Sequence, residues 1–254
     1  MGLRILVTND DGIQAHGIKV LEQLARAVTD DVWVVAPETN HSGAGHSLTL
    51  RRPLRYRRVT ERHFAVDGTP TDCVLLGLQR LIPDAKPDLV LSGINHGANL
   101  GEDVTYSGTI AAAMEATLLG VRAIAFSQVC NDRQRIKWAT AEAMAPDVIR
   151  RLARTEWPKD VLINVNFPDV PAAKVQGVKI ARQGKRKIGD ELIERVDPRG
   201  EPYVWIGSVK WEGLSPADTD IAAVGDGWVA VTPIELDMTH YPTFAVLEEA
   251  FAAL

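Results

Sequence analysis

The stretch Leu3-Arg4-Ile5-Leu6-Val7-Thr8-Asn9-Asp10-Asp11-Gly12 decides the fold of this 254-residue chain. Its apolar part has strand length and no alternation, which is typical of a strand buried on both faces. Apolar residues then recur at helical spacing, at positions 18, 21, 24, 25 and 28. Because a helix follows, we expect Asp10 and Asp11 at the carboxyl edge of a parallel sheet, and not in the hairpin turn that Asp-Gly also favours.

Strand and helix patterns alternate over residues 31–167. The predicted buried strands cover 31–37, 88–93, 121–127 and 161–167, and the predicted helices cover 70–82, 109–119 and 135–153. Strands that alternate with helices pair in parallel through right-handed crossovers. The sequence therefore predicts an α/β fold with a doubly wound, mostly parallel sheet.

Short strands with an arginine-rich face are predicted between residues 48 and 68. The arginines are Arg51, Arg52, Arg55, Arg57 and Arg58. They could attract an anion, but alternation with apolar residues also fits a solvated sheet edge.

The last third of the chain has a different character. Residues 175–212 alternate weakly and carry Tyr203, Trp205 and Trp211, which suggests a projecting β arm. An apolar strand over 228–234 and an apolar helix follow. An arm and an exposed apolar helix suit subunit association, although both could pack back on the parent domain.

We therefore expect one domain over residues 1–254. Its core comprises about 1–170 plus the strand at 228–234, and the arm and the helix at 243–254 serve oligomerisation. A homodimer or a homotetramer is the expected assembly.

Composition excludes several classes of partner. The 33 acidic and 28 basic residues give a net charge of -5, so a stable complex with nucleic acid, which needs clustered Lys and Arg, is not expected. Cys73 and Cys130 lack the spacing of a zinc or redox motif and fit a reducing compartment. No leader sequence and no membrane-spanning run are apparent, so we expect a soluble cytoplasmic protein without a membrane partner.

Three polar loops are expected at the same sheet edge, over residues 9–12, 40–47 and 93–109. They are rich in oxygen ligands and nearly free of sulfur, which suits Mg or Mn better than zinc. Two adjacent carboxylates repel one another unless a cation lies between them. We therefore predict one divalent ion per subunit, held by Asp10, Asp11, Ser42 and Asn95, with positions open for water and a substrate oxygen.

A phosphate site is predicted at the start of the helix over 109–119. Ser107, Gly108 and Thr109 place two hydroxyls and free amides at the positive end of the helix dipole. Ser107 could instead be a simple N-cap. Gly43, in a loop with two glycines, could also bring backbone amides to an anion. Dinucleotide, Walker and Gly-x-Ser-x-Gly motifs are absent from the sequence.

Five motifs occur in order over about residues 4–128. They are Val7-Thr8-Asn9-Asp10-Asp11-Gly12; Ala36-Pro37 with Ser42-Gly43; Asp67-Gly68-Thr69-Pro70 with Asp72-Cys73; Ser92-Gly93-Ile94-Asn95 with Gly97 and Asn99-Leu100-Gly101; and Tyr106-Ser107-Gly108-Thr109. Together they resemble the SurE (survival protein E) family of 5'/3'-nucleotidases. The match continues more loosely through Thr232-Pro233 and 237–239.

This resemblance implies a Rossmann-like core, oligomers built by exchanged C-terminal elements, and metal-dependent hydrolysis of nucleoside monophosphates. It implies metal ligation by Asp10, Asp11, Ser42 and Asn95. It also implies phosphate contacts from the loop of Asn99 and from Ser107, Gly108 and Thr109. Asn9 and Gly43 complete the expected substrate contacts, and the expected catalytic set is Asp10, Asp11, Asn95 and Ser107.

The expected reaction is in-line attack of water on a nucleoside 5'- or 3'-monophosphate, with broader phosphatase activity open. Asn9 stands where an Asp-x-Asp nucleophile motif needs its first aspartate, so no phosphoaspartate is expected. A metal-dependent transferase and a non-catalytic nucleotide-sensing module remain as alternatives. Transfer to an acceptor other than water, or nucleotide binding without phosphate release, would identify them.

Overall fold

The computed structural model describes residues 2–132, 135–186, 192–207 and 215–252. These residues form eleven strands and six α-helices. The strands are β1 (Ile5–Thr8), β2 (Val32–Pro37), β3 (Tyr56–Thr60), β4 (His63–Val66), β5 (Leu89–His96), β6 (Arg122–Gln128), β7 (Val161–Phe167), β8 (Val178–Ile180), β9 (Leu192–Val196), β10 (Pro202–Ile206) and β11 (Val229–Glu235). The helices are α1 (His16–Arg26), α2 (Pro70–Leu76), α3 (Gly108–Leu118), α4 (Trp138–Ala153), α5 (Asp220–Gly225) and α6 (Phe244–Phe251).

Nine strands form one mixed sheet in the order β3-β4-β2-β1-β5-β6-β7-β11-β8. The six strands from β4 to β7 in that order are all parallel to one another. Helices α1 and α4 pack on one face of the sheet, and α2 and α3 pack on the other. The predicted doubly wound, mostly parallel α/β fold is thus confirmed.

The central strand β1 explains why the opening stretch shows no alternation. Ile5 and Val7 belong to the core on the α1 and α4 face, whereas Leu6 belongs to the core on the other face. All three side chains are fully buried. Burial contributes roughly 1.5–3 kcal/mol for each such side chain, so both faces of β1 select apolar residues.

The arginine-rich region forms a solvated sheet edge. The predicted strands over 48–68 are shorter in the structure, and the edge strand β3 is exposed along its whole length. Its Arg57 lies 3.7 Å from a carboxylate oxygen of Glu38, and nearby Arg52 lies 3.1 Å from Asp67. These arginines therefore neutralise surface carboxylates, as expected for a solvated edge.

Two elements differ from the sequence prediction near the site. The helix predicted to run to residue 82 is α-helical only to Leu76 and continues as a π-helical turn over Gly77–Leu81. Strand β5 runs to His96, past an irregularity in its pairing with β6 after Ser92. Asn95 was predicted in a loop and lies instead in the last part of a strand.

Only part of the predicted arm over 175–212 is separate from the main sheet. Strand β8 pairs with β11 in the main sheet, which gives backbone groups on that edge of β11 their hydrogen-bond partners. Strands β9 and β10 form a separate antiparallel pair, which we call the hairpin. Tyr203 and Trp205 are exposed on it, and Trp211 lies outside the described residues.

Helix α6 is also exposed. Phe244, Val246, Leu247 and Phe251 all present large apolar side chains to solvent. In the described ranges, no helix combines the length and apolar character that a membrane span requires.

Candidate active site

The site lies where the strand order of the sheet reverses. From β1 the chain crosses to β2 on one side, and from β5 it crosses to β6 on the other. Open α/β sheets bind ligands in the crevice at this point, beyond the carboxyl ends of the strands. Asp10 and Asp11 follow β1, and Asn95 lies near the end of the adjacent β5.

Backbone hydrogen bonds join the three predicted loops at this crevice. The amide of His41 donates to the carbonyl oxygen of Asp10 at 2.8 Å. The amide of His96 donates to Oδ2 of Asp11 at 3.1 Å, and the amide of Gly45 donates to the carbonyl of Tyr106 at 3.1 Å. The predicted meeting of these loops is therefore confirmed.

Asp10 is the most deeply buried of the predicted metal ligands, with 3 % of its surface exposed. Burial raises the pKa of its carboxyl group to about 6, and the charge of Asp11 acts in the same direction. The Thr109 hydroxyl donates a hydrogen bond to Oδ1 of Asp10, which partly opposes this rise. A buried acid beside a second acid is the electrostatic environment that a bound cation would relieve.

The first turn of α3 lies directly against Asp10. A Cβ atom on Gly108 would lie 2.7 Å from Cβ and 3.1 Å from Oδ2 of Asp10, closer than side chains normally approach. Glycine therefore permits this close approach. Ser107 caps the helix, since its Oγ accepts a hydrogen bond from the amide of Ile110 at 3.1 Å. The predicted phosphate residues thus lie next to the carboxylates.

Ser42 is exposed, and its loop is tied to Asp11 through Asn40. The amide of Ser42 donates to Oδ1 of Asn40 at 2.7 Å, and Nδ2 of Asn40 donates to Oδ1 of Asp11 at 3.4 Å. The sequence analysis did not single out Asn40. The order Asn40-His41-Ser42 indicates this turn, because an asparagine side chain readily accepts a hydrogen bond from the backbone amide two residues ahead.

The side chain of Asn95 is oriented by its own strand end. Its Nδ2 donates to the carbonyl of Gly97 at 3.1 Å. With the amide nitrogen engaged there, Oδ1 is the side-chain atom left to act as a ligand.

Asn9 and Gly43, the other predicted substrate contacts, have contrasting environments. Asn9 is 1 % exposed, and its Nδ2 donates to the carbonyl of Gly12 at 2.9 Å, which closes the turn after β1. Its Oδ1 is buried and has no hydrogen-bond partner within the described part of the chain. Gly43 is exposed, with a positive φ of 78°.

Asn99 is held in the interior by two asparagines of β7. Its carbonyl oxygen accepts from Nδ2 of Asn164 at 2.9 Å and of Asn166 at 3.0 Å, and its amide donates to Oδ1 of Asn166. Its Nδ2 donates to Oγ of Ser127 at 2.8 Å. These contacts fix Asn99 but do not join it to the carboxylates, so its predicted phosphate contact stays a prediction.

Asn164 and Asn166 were missed by the sequence analysis. Two asparagines at alternating positions of an otherwise apolar strand could have indicated them, because buried side-chain amides require hydrogen-bond partners.

The far end of the Ser42 loop is anchored to α3 and α2. Nε2 of His46 lies 3.0 Å from Oε2 of Glu115, which is largely buried. Two residues beyond Ser47, the Thr49 hydroxyl donates to Oδ2 of Asp72 at 2.6 Å, and its amide donates to Oδ1. The far end of the loop is thus tied to both helices beside the crevice.

Across the described ranges, no group of three or more His, Cys, Asp or Glu side chains is arranged to hold a metal ion. The predicted metal set contains two carboxylates, a hydroxyl and an amide, so it would not form such a group. Its chemistry still suits a hard divalent cation.

Comparisons with known proteins identify the family of the chain. The family model "Survival protein SurE" matches residues 5–190. The chain is 64 % identical to 5'-nucleotidase SurE of Paramagnetospirillum magneticum, covering 98 % of this chain and 96 % of the relative. It is 54 % identical to 5'-nucleotidase SurE of Rhodospirillum rubrum, with the same coverage.

A solved structure agrees as well. The crystal structure of the SurE protein from Aquifex aeolicus is similar with a TM-score of 0.86 and 40 % identity, covering 97 % of this chain and 99 % of the other. The fold and the sequence similarity over nearly the whole length lead to the same result. The chain belongs to the SurE family.

Proposed function

We propose that the protein is a metal-dependent nucleotidase that hydrolyses nucleoside 5'- and 3'-monophosphates to nucleoside and phosphate. The observation that carries this proposal is the buried Asp10, next to Asp11, in contact with the first turn of α3. An acidic pair recruits a divalent cation, and a helix N-terminus favours a phosphate. The names of the relatives in Paramagnetospirillum magneticum and Rhodospirillum rubrum support the same activity.

Asp10, Asp11, Ser42 and Asn95 would hold one Mg or Mn ion per subunit. Two observations support this set. The pKa of Asp10 is raised by burial, which a cation would reverse, and Oδ1 of Asn95 is left available by the bond from Nδ2 to Gly97. When bound, the ion supplies positive charge that polarises a phosphoryl oxygen and activates a water molecule.

Residues of α3 bind and orient the phosphate. The amide of Gly108 is among those without an acceptor inside the helix, so it can donate to a phosphoryl oxygen. The Ser107 hydroxyl accepts from Ile110 and still has its own proton to donate. Thr109 holds Asp10 in place through its hydroxyl. The Gly108 amide and the Ser107 hydroxyl can then stabilise the charge that grows on the equatorial oxygens.

Asp11 orients the attacking water in this mechanism. It is less buried than Asp10, and its two oxygens are positioned by Asn40 and by the amide of His96. In-line attack forms a bond from the water oxygen to phosphorus as the bond from phosphorus to the nucleoside oxygen breaks, with inversion at phosphorus. One proton of the water passes overall to the nucleoside oxygen, so the products are the free nucleoside and phosphate.

Metal removal tests the proposal. After treatment with a chelator, we expect the protein to release no phosphate from a panel of nucleoside 5'- and 3'-monophosphates. Added Mn²⁺ or Mg²⁺ should restore release, and Ca²⁺ is a control for charge alone. Stoichiometric nucleotide binding without phosphate release would favour a sensing module, and phosphate appearing on an added alcohol in place of water would favour a transferase.

We also propose that the hairpin and α6 join subunits into a dimer or tetramer. Their large apolar side chains, including Trp205, Ile206, Phe244 and Leu247, are exposed, and exposed apolar patches on a surface mark interaction sites.

Charge placed on α6 should separate the subunits. We expect Phe244→Asp with Leu247→Asp to convert the oligomer to a monomer at micromolar concentration, measured by size exclusion with light scattering. Glu248→Ala, on the same helix, is the control. A monomeric unsubstituted protein would contradict the proposed assembly.

A further inference from the structure

A cavity of about 320 Å³ opens beside Asp11, and it is lined by none of the other proposed metal ligands and by none of the proposed phosphate residues of α3. Its size lies at the lower end of the range for small-molecule sites, roughly 300–1,000 Å³. Among the described residues, the side chains that matter to its chemistry are Asp11, Asn40, His96, His16, Ile136 and Trp138. We call this cavity the Trp138 pocket.

One end of the Trp138 pocket is aromatic. The rings of His16 and Trp138 have centroids 5.2 Å apart and an interplanar angle of 52°. Ile136 adds an apolar side chain. A flat, half-buried indole is a surface on which a nucleobase stacks, because every base has a π-face.

The position of the Trp138 ring is fixed by its surroundings. A Cβ atom on Gly17 would lie 3.2 Å from Cη2 of the indole and 2.0 Å from the carbonyl oxygen of Ile94. Glycine therefore lets α1 approach both the end of β5 and the indole. Lys137, just before α4, is bonded to Asp169, which secures the start of that helix. Because the Trp138 side chain is already held in place, little conformational entropy is lost when a ligand stacks on its ring.

The other end of the pocket is polar and reaches the proposed metal site. Asn40 and His96 lie there beside Asp11, and both also bond to Asp11 through Nδ2 and the backbone amide respectively. The Asn40 amide and the His96 imidazole can exchange hydrogen bonds with sugar hydroxyls. The pocket thus runs from the reacting centre, past polar groups, to an aromatic wall.

This order matches the order of groups in a nucleoside monophosphate. We propose that the Trp138 pocket binds the ribose and the base of the substrate, with the base stacked on the indole of Trp138. The inference rests on the proposed nucleotidase function and adds the part of the substrate that is not the phosphate. Stacking without a dedicated set of base-edge donors accepts purines and pyrimidines alike.

The test compares AMP and UMP with ribose 5-phosphate, which lacks a base. Loss of a stacking residue costs about 5- to 150-fold in affinity per base, so Trp138→Ala should lower kcat/KM for AMP and UMP by a factor in that range. Hydrolysis of ribose 5-phosphate should not change. Trp138→Phe keeps an aromatic ring and should retain most of the activity on nucleotides. Glu142→Ala, on an exposed turn of α4, is the control.

A binding measurement separates this inference from the proposed activity. Adenosine titrated into the metal-free protein should bind by calorimetry, and Trp138→Ala should weaken this binding by the same factor as kcat/KM. His16→Ala, at an exposed position that leaves α4 intact, should also weaken it. Equal loss on ribose 5-phosphate and AMP, or adenosine binding that does not depend on Trp138, would overturn the inference. Absence of phosphate release with adenosine binding intact would overturn only the proposed function.

Discussion

Replacing Asp10 with Asn is expected to reduce the metal-dependent release of phosphate by about 100-fold or more. Electrostatic stabilisation by a bound cation is worth several kcal/mol, and each 1.36 kcal/mol corresponds to a factor of ten in rate. Asparagine can still accept the hydrogen bond from Thr109, so the first turn of α3 should remain in place. Steady-state kinetics with AMP over a range of Mn²⁺ concentrations would measure the loss.

The same substitution should not lower the melting temperature of the metal-free protein. A buried carboxylate with a raised pKa is costly when ionised at neutral pH, and the amide removes that cost. Asp30→Asn, at an exposed position in the turn before β2, serves as the control and should behave like the unsubstituted protein. A near-normal rate for Asp10→Asn at saturating metal would place the chemistry elsewhere.

Gly108→Ala is expected to reduce kcat/KM for AMP by a similar factor, through a change of geometry alone. The new methyl group would lie 2.7 Å from Cβ of Asp10, so either the carboxylate or the first turn of α3 has to move. A displacement of about 1 Å at a reacting centre can cost about 100-fold. Helix propensity would favour alanine, so the loss cannot come from a weaker helix. The measurement is kcat/KM for AMP, together with Mn²⁺ affinity by calorimetry.

Gly2→Ala provides the matched control, because a Cβ atom at Gly2 would meet nothing within 4 Å. The circular dichroism spectrum of Gly108→Ala should match that of the unsubstituted protein. If Gly108→Ala binds Mn²⁺ and turns over AMP normally, close approach of α3 to Asp10 is not needed for activity.

The framework of the fold could be predicted because its signals are local. An unbroken apolar run identifies β1. The capping box at Thr69 and the proline in the first turn, Pro70, indicate the start of α2. Such patterns depend on near neighbours in the sequence. They gave the alternation of strands and helices and hence the loops that meet at the crevice.

What could not be predicted depends on contacts between distant residues. The backbone of Asn99 is fixed by Asn164 and Asn166, more than 60 positions later, and no local pattern links them. Strand β8 joins the main sheet because β11 offers an edge, which its own three residues do not reveal. The role of Asn40 could be predicted only in part, since its turn involves near neighbours in the sequence but its hydrogen bond to Asp11 does not.

The two edge strands of the nine-stranded sheet protect it against the addition of strands from other molecules. Strand β3 at one end carries Arg57 and Arg58, and β8 at the other end is only three residues long. Charged or very short terminal strands discourage the addition of strands from other molecules. The protein can therefore present apolar side chains on its hairpin and α6 without its main sheet acting as a template for fibrous aggregation.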